Sequence, residues 1–437
     1  MLRTSLSERK SIKITKGSWK DRLSDLPEHL LCRILSELST KDSVQTKRFT
    51  TSILSKHWRN LWLHVSALDL DSNDFRDDLV FMQFIDRFVG FNKELDLKRF
   101  ELFYDVEDHF FDDFVPRIDD VVKRRVCHLT VLNYVYADEA LVRMPLSLYS
   151  CTTLVDLTLY SVVMDHPELE LVSLPCVKTM YLEAVKFDGD SVLETLISSC
   201  SVLEDLTVIT HPDDYLEAVC VRSQSLKSFK LESRRLEYED PDVEIDAPRL
   251  EYMSIRDYQS ESFIVHSIGP SAKINIDVLF DVEFDDPLEI TMICNFLIGI
   301  SKVREMTISN RTLEVIHGYA EVKTLPQFSN LSRLDASLVE TSWELLPPFL
   351  GGCMNLHSLI VELDYLPEIE EIKLSPVPQH VLSSLEFVEL KTPVSVTETS
   401  SKMKLATYFM KNCAVLKIMA LCEHYHRQEN EKDSKEL

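Results

Sequence analysis

Leu154-Val155-Asp156-Leu157-Thr158-Leu159-Tyr160 is the stretch that decides the fold, because its beat returns along the chain. It recurs at Val177-Lys178-Thr179-Met180-Tyr181-Leu182 and at Leu203-Glu204-Asp205-Leu206-Thr207-Val208. Each copy spaces three apolar residues as L-x-x-L-x-L. The second and third alternate with polar residues, so a short strand buries one face and shows the other. Further copies are Leu226-Phe229-Leu231, Leu250-Met253-Ile255, Val303-Met306-Ile308, Leu356-Leu359-Val361, Leu385-Val388-Leu390 and Leu416-Met419-Leu421, with a weaker one at Leu331-Leu334-Ala336. Toward the N-terminus lie Leu97-Phe100-Leu102 and Val126-Leu129-Val131. One beat is missing near residue 276, where Ile274, Ile276 and Val278 alternate without the full triplet.

The copies start roughly 27 residues apart, inside the 20–29 range of leucine-rich repeats. The ~20 residues between strands return the chain through a helix or irregular segment, and each unit stacks on the last. The fold class predicted is therefore an α/β repeat, a leucine-rich-repeat solenoid with one parallel sheet. The cysteines fit this scheme. Cys151, Cys200, Cys353 and Cys413 each precede a triplet by three residues, a slot that Ser223, Ala247, Phe328 and Leu382 fill elsewhere. A recurring small or apolar slot is a packing position.

Composition narrows the function. Only 8 glycines occur in 437 residues, which argues against phosphate-cradling loops and propeller turns. Net charge is −25, and residues 1–22 hold seven Lys/Arg against two acids, leaving 40 basic and 70 acidic residues in the remainder. So acidic a body repels a phosphate backbone, and no nucleic-acid partner is expected. No apolar run of transmembrane length and no signal-peptide pattern is present. The expectation is an intracellular protein of cytoplasm or nucleus, neither secreted nor membrane-bound.

No Cys-x-x-Cys, His-Glu-x-x-His, Gly-x-Ser-x-Gly or phosphate-loop motif occurs, so catalytic residues, metal and cofactor are all expected to be none. The acidic pairs Glu107-Asp108, Asp112-Asp113 and Asp119-Asp120 lack the spacing of a calcium loop and read as solvated faces. Lys123-Arg124-Arg125 reads as an exposed turn. His424 and His426 sit in a charged tail.

Ahead of the repeats, Leu26-Pro27-Glu28-His29-Leu30-Leu31-Cys32-Arg33-Ile34-Leu35-Ser36-Glu37-Leu38 predicts an amphipathic helix with Pro27 in its first turn, capped by Ser24 or Asp25. Thr40-Lys41-Asp42-Ser43-Val44-Gln45-Thr46 and Ser55-Lys56-His57-Trp58-Arg59-Asn60-Leu61-Trp62 suggest two more short helices. So small a module is marginal by buried area and is expected to dock on a partner.

These three runs resemble the F-box of plant F-box/LRR/FBD proteins. Residues 375–422, with Pro378, Leu382-Ser383-Ser384-Leu385-Glu386-Phe387-Val388-Glu389-Leu390 and Tyr408-Phe409-Met410-Lys411-Asn412, resemble the family's C-terminal FBD segment. Asp246-Ala247-Pro248-Arg249-Leu250-Glu251-Tyr252 is similar to a phrase common in its repeats. The resemblance implies a domain order of disordered basic N-terminus (1–20), F-box (21–64), repeats (65–374), FBD segment (375–422) and disordered tail (423–437). It also implies docking on a Skp-family adaptor, and through it a cullin scaffold, by Leu26, Pro27, Leu30, Ile34, Leu35, Val44, Leu54, Trp58 and Leu61. Some of these also belong to the module's own core. The chain departs from the family pattern by inserting Lys47-Arg48-Phe49-Thr50-Thr51 and by carrying His57 where Arg is usual.

The target-binding face is expected where residues alternate with the buried pair, since solenoids bind along their strand face. The candidates are Asp156, Thr158, Tyr160, Tyr181, Asp205, Lys230, Tyr252, Arg256, Arg333 and Phe387. The expected function is substrate recognition for a Skp/cullin/F-box ubiquitin ligase. The alternatives are a repeat scaffold that has lost ligase recruitment and a ligand-dependent receptor of the same architecture.

Overall fold

The structure is a computed structural model that describes residues 26–37, 61, 63–91, 95–105, 114–134, 141–167, 172–189, 191–210, 218–233, 242–258, 260, 262–280, 284–338, 342–363, 377–393 and 399–424. Two compact units divide it, residues 1–69 and 70–437.

In the first unit a helix spans Glu28–Ser36. Pro27 occupies the cap position itself rather than the first turn: its φ of −59° is pre-set and its carbonyl accepts from Leu30 N and Leu31 N at 3.0 and 3.2 Å. The proposed caps Ser24 and Asp25 lie outside the described residues. Glu28 in the first turn and Arg33 in the last complement the helix dipole. At the far end Ser36 Oγ donates to Cys32 O at 2.8 Å and accepts from Ser66 N at 3.2 Å. Leu31, Leu35, Leu61, Leu63 and Val65 are buried. The other two expected helices fall almost wholly outside the described residues.

The repeats build a sheet of fourteen strands. The first is β1 (Ala67–Asp71), within which the division between units falls, followed by β2 (Arg99–Tyr104) and β3 (His128–Asn133). Next in the chain come β4 (Val142–Arg143), β5 (Asp156–Tyr160), β6 (Val162–Asp165), β7 (Thr179–Glu183), β8 (Lys186–Asp188) and β9 (Asp205–Ile209). Then follow β10 (Ala218–Arg222), β11 (Ser228–Glu232), β12 (Asp242–Ala247), β13 (Tyr252–Asp257), β14 (Ser262–Ile268) and β15 (Lys273–Val278). The last five are β16 (Glu305–Ile308), β17 (Arg333–Leu338), β18 (Ser358–Leu363), β19 (Phe387–Pro393) and β20 (Ile418–His424). The large sheet takes β1, β2, β3, β5, β7, β9, β11, β13 and then β15 to β20 in that order. Pairing from β2 onward is parallel.

The triplets set the register. Leu157 pairs with Met180, Met180 with Leu206, Leu206 with Phe229 and Phe229 with Met253, so one apolar row runs across the sheet. The weak copy is in step too, with Leu334 between Met306 and Leu359. So is the missing beat: Ile274 pairs with Met253. There Gly269 and Ala272 replace bulkier residues, and a Cβ on Gly269 would lie 2.2 Å from Leu250 O. All eight occupants of the slot before the strand are buried, the four cysteines included.

The last triplet departs from expectation. Met419 keeps register with Val388, yet Leu421 is 43% exposed, because no described strand follows β20 to cover it. β20 also runs to His424, past the boundary drawn at 422.

The return segments are more regular than the sequence suggested. Two three-stranded parallel sheets lie there, β4-β6-β8 and β10-β12-β14. Helices fill others, such as Pro287–Ile300, whose Asp286 cap accepts from Leu288 N at 2.8 Å, and Asn310–Val322, capped by Ser309. Thr312, fully buried, accepts Val278 N at 2.8 Å and ties the second helix to β15.

Lys123-Arg124-Arg125 is not simply an exposed turn. Arg124 is 3% exposed, its Nε donates to Leu95 O at 2.9 Å and its guanidinium lies 5.1 Å from the Phe88 ring centroid.

Candidate protein-interaction surfaces

On the N-terminal helix the apolar positions split by spacing. Leu31 and Leu35, one turn apart, are buried at 0% and 3%. Pro27, Leu30 and Ile34 follow the 3–4 spacing of a second stripe and face solvent, with Leu30 38% and Ile34 41% exposed. Leu26 is half-buried beside them. Leu35 and Leu61, named for adaptor docking on sequence, are each 3% exposed and fill the interior of the module. Val44, Leu54, Trp58 and the insert 47–51 lie outside the described residues. The result is a helix with apolar residues on two sides, one buried and one exposed.

The open face of the large sheet presents three rows. One runs Asp156, Thr179, Asp205, Ser228, Tyr252, Lys273, Glu305, Arg333, Ser358 and Phe387. A second includes Thr158, Tyr181, Thr207 and Lys230. A third includes Tyr160, Glu183, Glu232 and Arg256. All ten residues named from the sequence therefore lie on this one face, spread along it rather than gathered. Asp205, Tyr252, Arg256 and Arg333 are exposed; Asp156, Thr158, Tyr160, Tyr181, Lys230 and Phe387 are half-buried.

From β11 onward four cations of this face sit near carboxylates. Lys230 lies 3.4 Å from Glu232, Arg256 3.7 Å from Asp277 and Lys273 2.7 Å from Glu305, while Lys391 lies 3.6 Å from Asp335 and 3.9 Å from Glu362. Burial pushes the Asp335 carboxyl above its ordinary value, which Lys391 opposes and Glu362 reinforces. Toward β2 the face changes character. Phe103, Leu132 and Tyr160 occupy adjacent places in the third row. Tyr134, just past β3, stacks on Phe103 at 4.6 Å and on Tyr160 at 4.7 Å, with interplanar angles of 25° and 26°. Sequence reading named Tyr160 but missed Phe103, Leu132 and Tyr134. The signal was available, since Phe103 follows Leu102 as Tyr160 follows Leu159.

Burial pushes Cys200 and Cys413 up to about 11 and raises Cys353 as well. Among the described residues no group of three or more His, Cys, Asp or Glu is placed to hold a metal ion, and no helix is long and apolar enough to cross a membrane.

Residues 23–68 match the F-box domain, residues 118–277 the LRR repeats of FBD-associated F-box protein At5g56370, and residues 373–421 the FBD segment. The chain is 66% identical over 413 residues to F-box protein At1g60400 of Arabidopsis thaliana, covering 94% of this chain and 99% of that protein. It is 61% identical to FBD-associated F-box protein At1g60410, covering 93% and 98%, and 56% identical to F-box/FBD/LRR-repeat protein At1g80470, covering 95% and 88%, both from the same plant. The chain belongs to the plant F-box/FBD/LRR-repeat family. At the level of the family this supports an F-box adaptor role in SCF-type complexes, and an F-box implies binding to a Skp-type adaptor. The bare stripe on the N-terminal helix lies within the matched F-box.

Proposed function

We propose that this chain is a non-catalytic substrate-recognition subunit whose F-box docks on a Skp-family adaptor through Pro27, Leu30 and Ile34, with Leu26 at the margin. Leu35 and Leu61 support that surface from beneath. The open sheet face of the repeats holds a target protein beside the charged ubiquitin-conjugating enzyme, and transfer gains from effective concentration rather than from groups on this chain. The observation that carries the docking reading is the pair Leu30 and Ile34, large apolar residues left exposed one turn apart on the F-box helix. The mixed charge and interspersed tyrosines of the sheet face suit a protein target, since tyrosine and arginine dominate interface energetics.

The domain limits inferred from sequence, with the F-box ending near residue 64 and the FBD segment continuing the repeats, form part of this proposal. Capture of a recombinant Skp-family adaptor by the full chain tests it, with a variant lacking 47–51 in parallel. Both should bind, the deletion at most several-fold more tightly, because looping out five residues costs little closure entropy. A parent that fails to bind while the deletion variant binds tightly would make the natural chain a repeat scaffold without ligase recruitment.

A further inference from the structure

The third row of the open face changes chemistry along the sheet. In the later strands it carries Glu183, Glu232, Arg256, Asp277, Glu362 and Lys391. In β2, β3 and β5 it carries Phe103, Leu132 and Tyr160, with Tyr134 stacked between the two rings. The packing of the fold does not require this, because the same row accepts charge elsewhere. Contiguous apolar side chains on a face otherwise polar mark an interaction site.

The surroundings indicate what the stack receives. Tyr160 is paired in register with Glu183, whose carboxylate accepts from Tyr181 Oη, and Asp205 stands exposed on β9. Among the described positions of the third row from β2 to β9, namely Phe103, Leu132, Tyr160, Glu183 and Ile209, none is a cation. The chain's net charge of −25 draws a basic partner toward the face over a longer range.

We infer that the Phe103–Tyr134–Tyr160 stack, bordered by Glu183, is the docking site for an arginine-bearing, basic segment of the target protein. This deepens the reading of the sheet face as target-binding and rests on it. A planar guanidinium lies flat on a tyrosine ring while its N–H groups reach a neighbouring carboxylate, which a lysine ammonium does less well. In the later strands the carboxylates Glu232, Asp277, Glu305, Asp335 and Glu362 already lie near cations of this chain, so they offer such a segment less.

The test uses the full chain and three fluorescein-labelled peptides of five Arg-Gly, Lys-Gly or Glu-Gly repeats. The arginine peptide should bind the parent more tightly than the lysine peptide, and the glutamate peptide should not bind. Tyr160→Ser and Glu183→Gln should each weaken the arginine peptide at least about fivefold at constant salt, with melting checked. Glu321→Gln, which removes the same charge from the helix Asn310–Val322, should leave binding unchanged. Equal binding by Tyr160→Ser and parent overturns the inference, and so does equal weakening by Glu321→Gln, which would mean attraction by net charge alone. Proximity labelling in plant cells then separates the two readings. If the peptide result is negative but Arg333→Glu changes the labelled neighbours, the stack is refuted and the wider face survives. If neither Arg333→Glu nor Tyr160→Ser changes them, both readings fail.

Discussion

Arg124 sits in the middle of a three-residue basic run, buried, with one hydrogen bond from Nε to Leu95 O and its planar group against Phe88. Both terminal nitrogens lack a hydrogen-bond partner, and burial lowers its pKa. Its stem and ring contact therefore matter more than its charge. Arg124→Ala should cost about 2–4 kcal/mol, whereas Arg124→Met, which keeps the volume, should stay within about 1 kcal/mol of the parent. Urea unfolding midpoints measure both, and equal loss in the two variants would contradict the packing account. Sequence could not show this: a Lys-Arg-Arg run reads as solvated, and only the fold brings Phe88 over it. Asp335 carries a pH signature of known sign. A carboxyl raised by burial holds its proton more firmly folded than unfolded, so its contribution is fully present below the unfolded pKa and is lost as pH rises through the folded value. At neutral pH the ionised group is a cost, and Asp335→Asn should raise the melting temperature at pH 7. The gain should shrink toward pH 4. A lower melting temperature at pH 7 would mean that Lys391 outweighs burial.

At the scale of elements, two glycines in helices make opposite predictions. A Cβ on Gly299, in the helix Pro287–Ile300, would lie 2.5 Å from Val265 Cβ and 2.6 Å from Val265 O on β14. Gly90, in the helix Asp78–Phe91, has nothing within 4 Å of its Cβ position. Gly299→Ala should destabilise by about 1–3 kcal/mol through overpacking, and Gly90→Ala should stabilise by about 0.4–1 kcal/mol by restricting the unfolded chain. Thermal melts of the pair decide it, and a stabilised Gly299→Ala would place that helix further from β14. The strands of the large sheet were legible because Leu157, Leu206 and Leu359 repeat a period that only a stacked solenoid uses. The small sheets were not, although Val219 and Val221, and Val243 and Ile245, alternate as buried strand residues. Runs of two to seven residues give too few periods to separate a strand from an irregular return. Helix-borne Gly299 was equally silent, since its role depends on what crosses it.

For the whole molecule, the repeats were readable from their spacing of apolar residues, and the F-box and FBD segment from their resemblance to the family. The division of labour inside the F-box was not, since Leu30, Leu31, Ile34 and Leu35 look alike as letters and differ only in what covers them. Solenoid repeats fold mainly on nearest-neighbour contacts, so changes confined to the bare stripe of the F-box helix should leave the repeats intact. The most direct measurement is titration of a recombinant Skp-family adaptor into the full chain and into its Leu30→Glu, Ile34→Glu variant, with circular dichroism melts of both. The account predicts saturable one-to-one binding by the parent, at least a hundredfold loss in the variant, and superimposable melts. An adaptor that ignores the parent, or that binds both proteins alike, would contradict it.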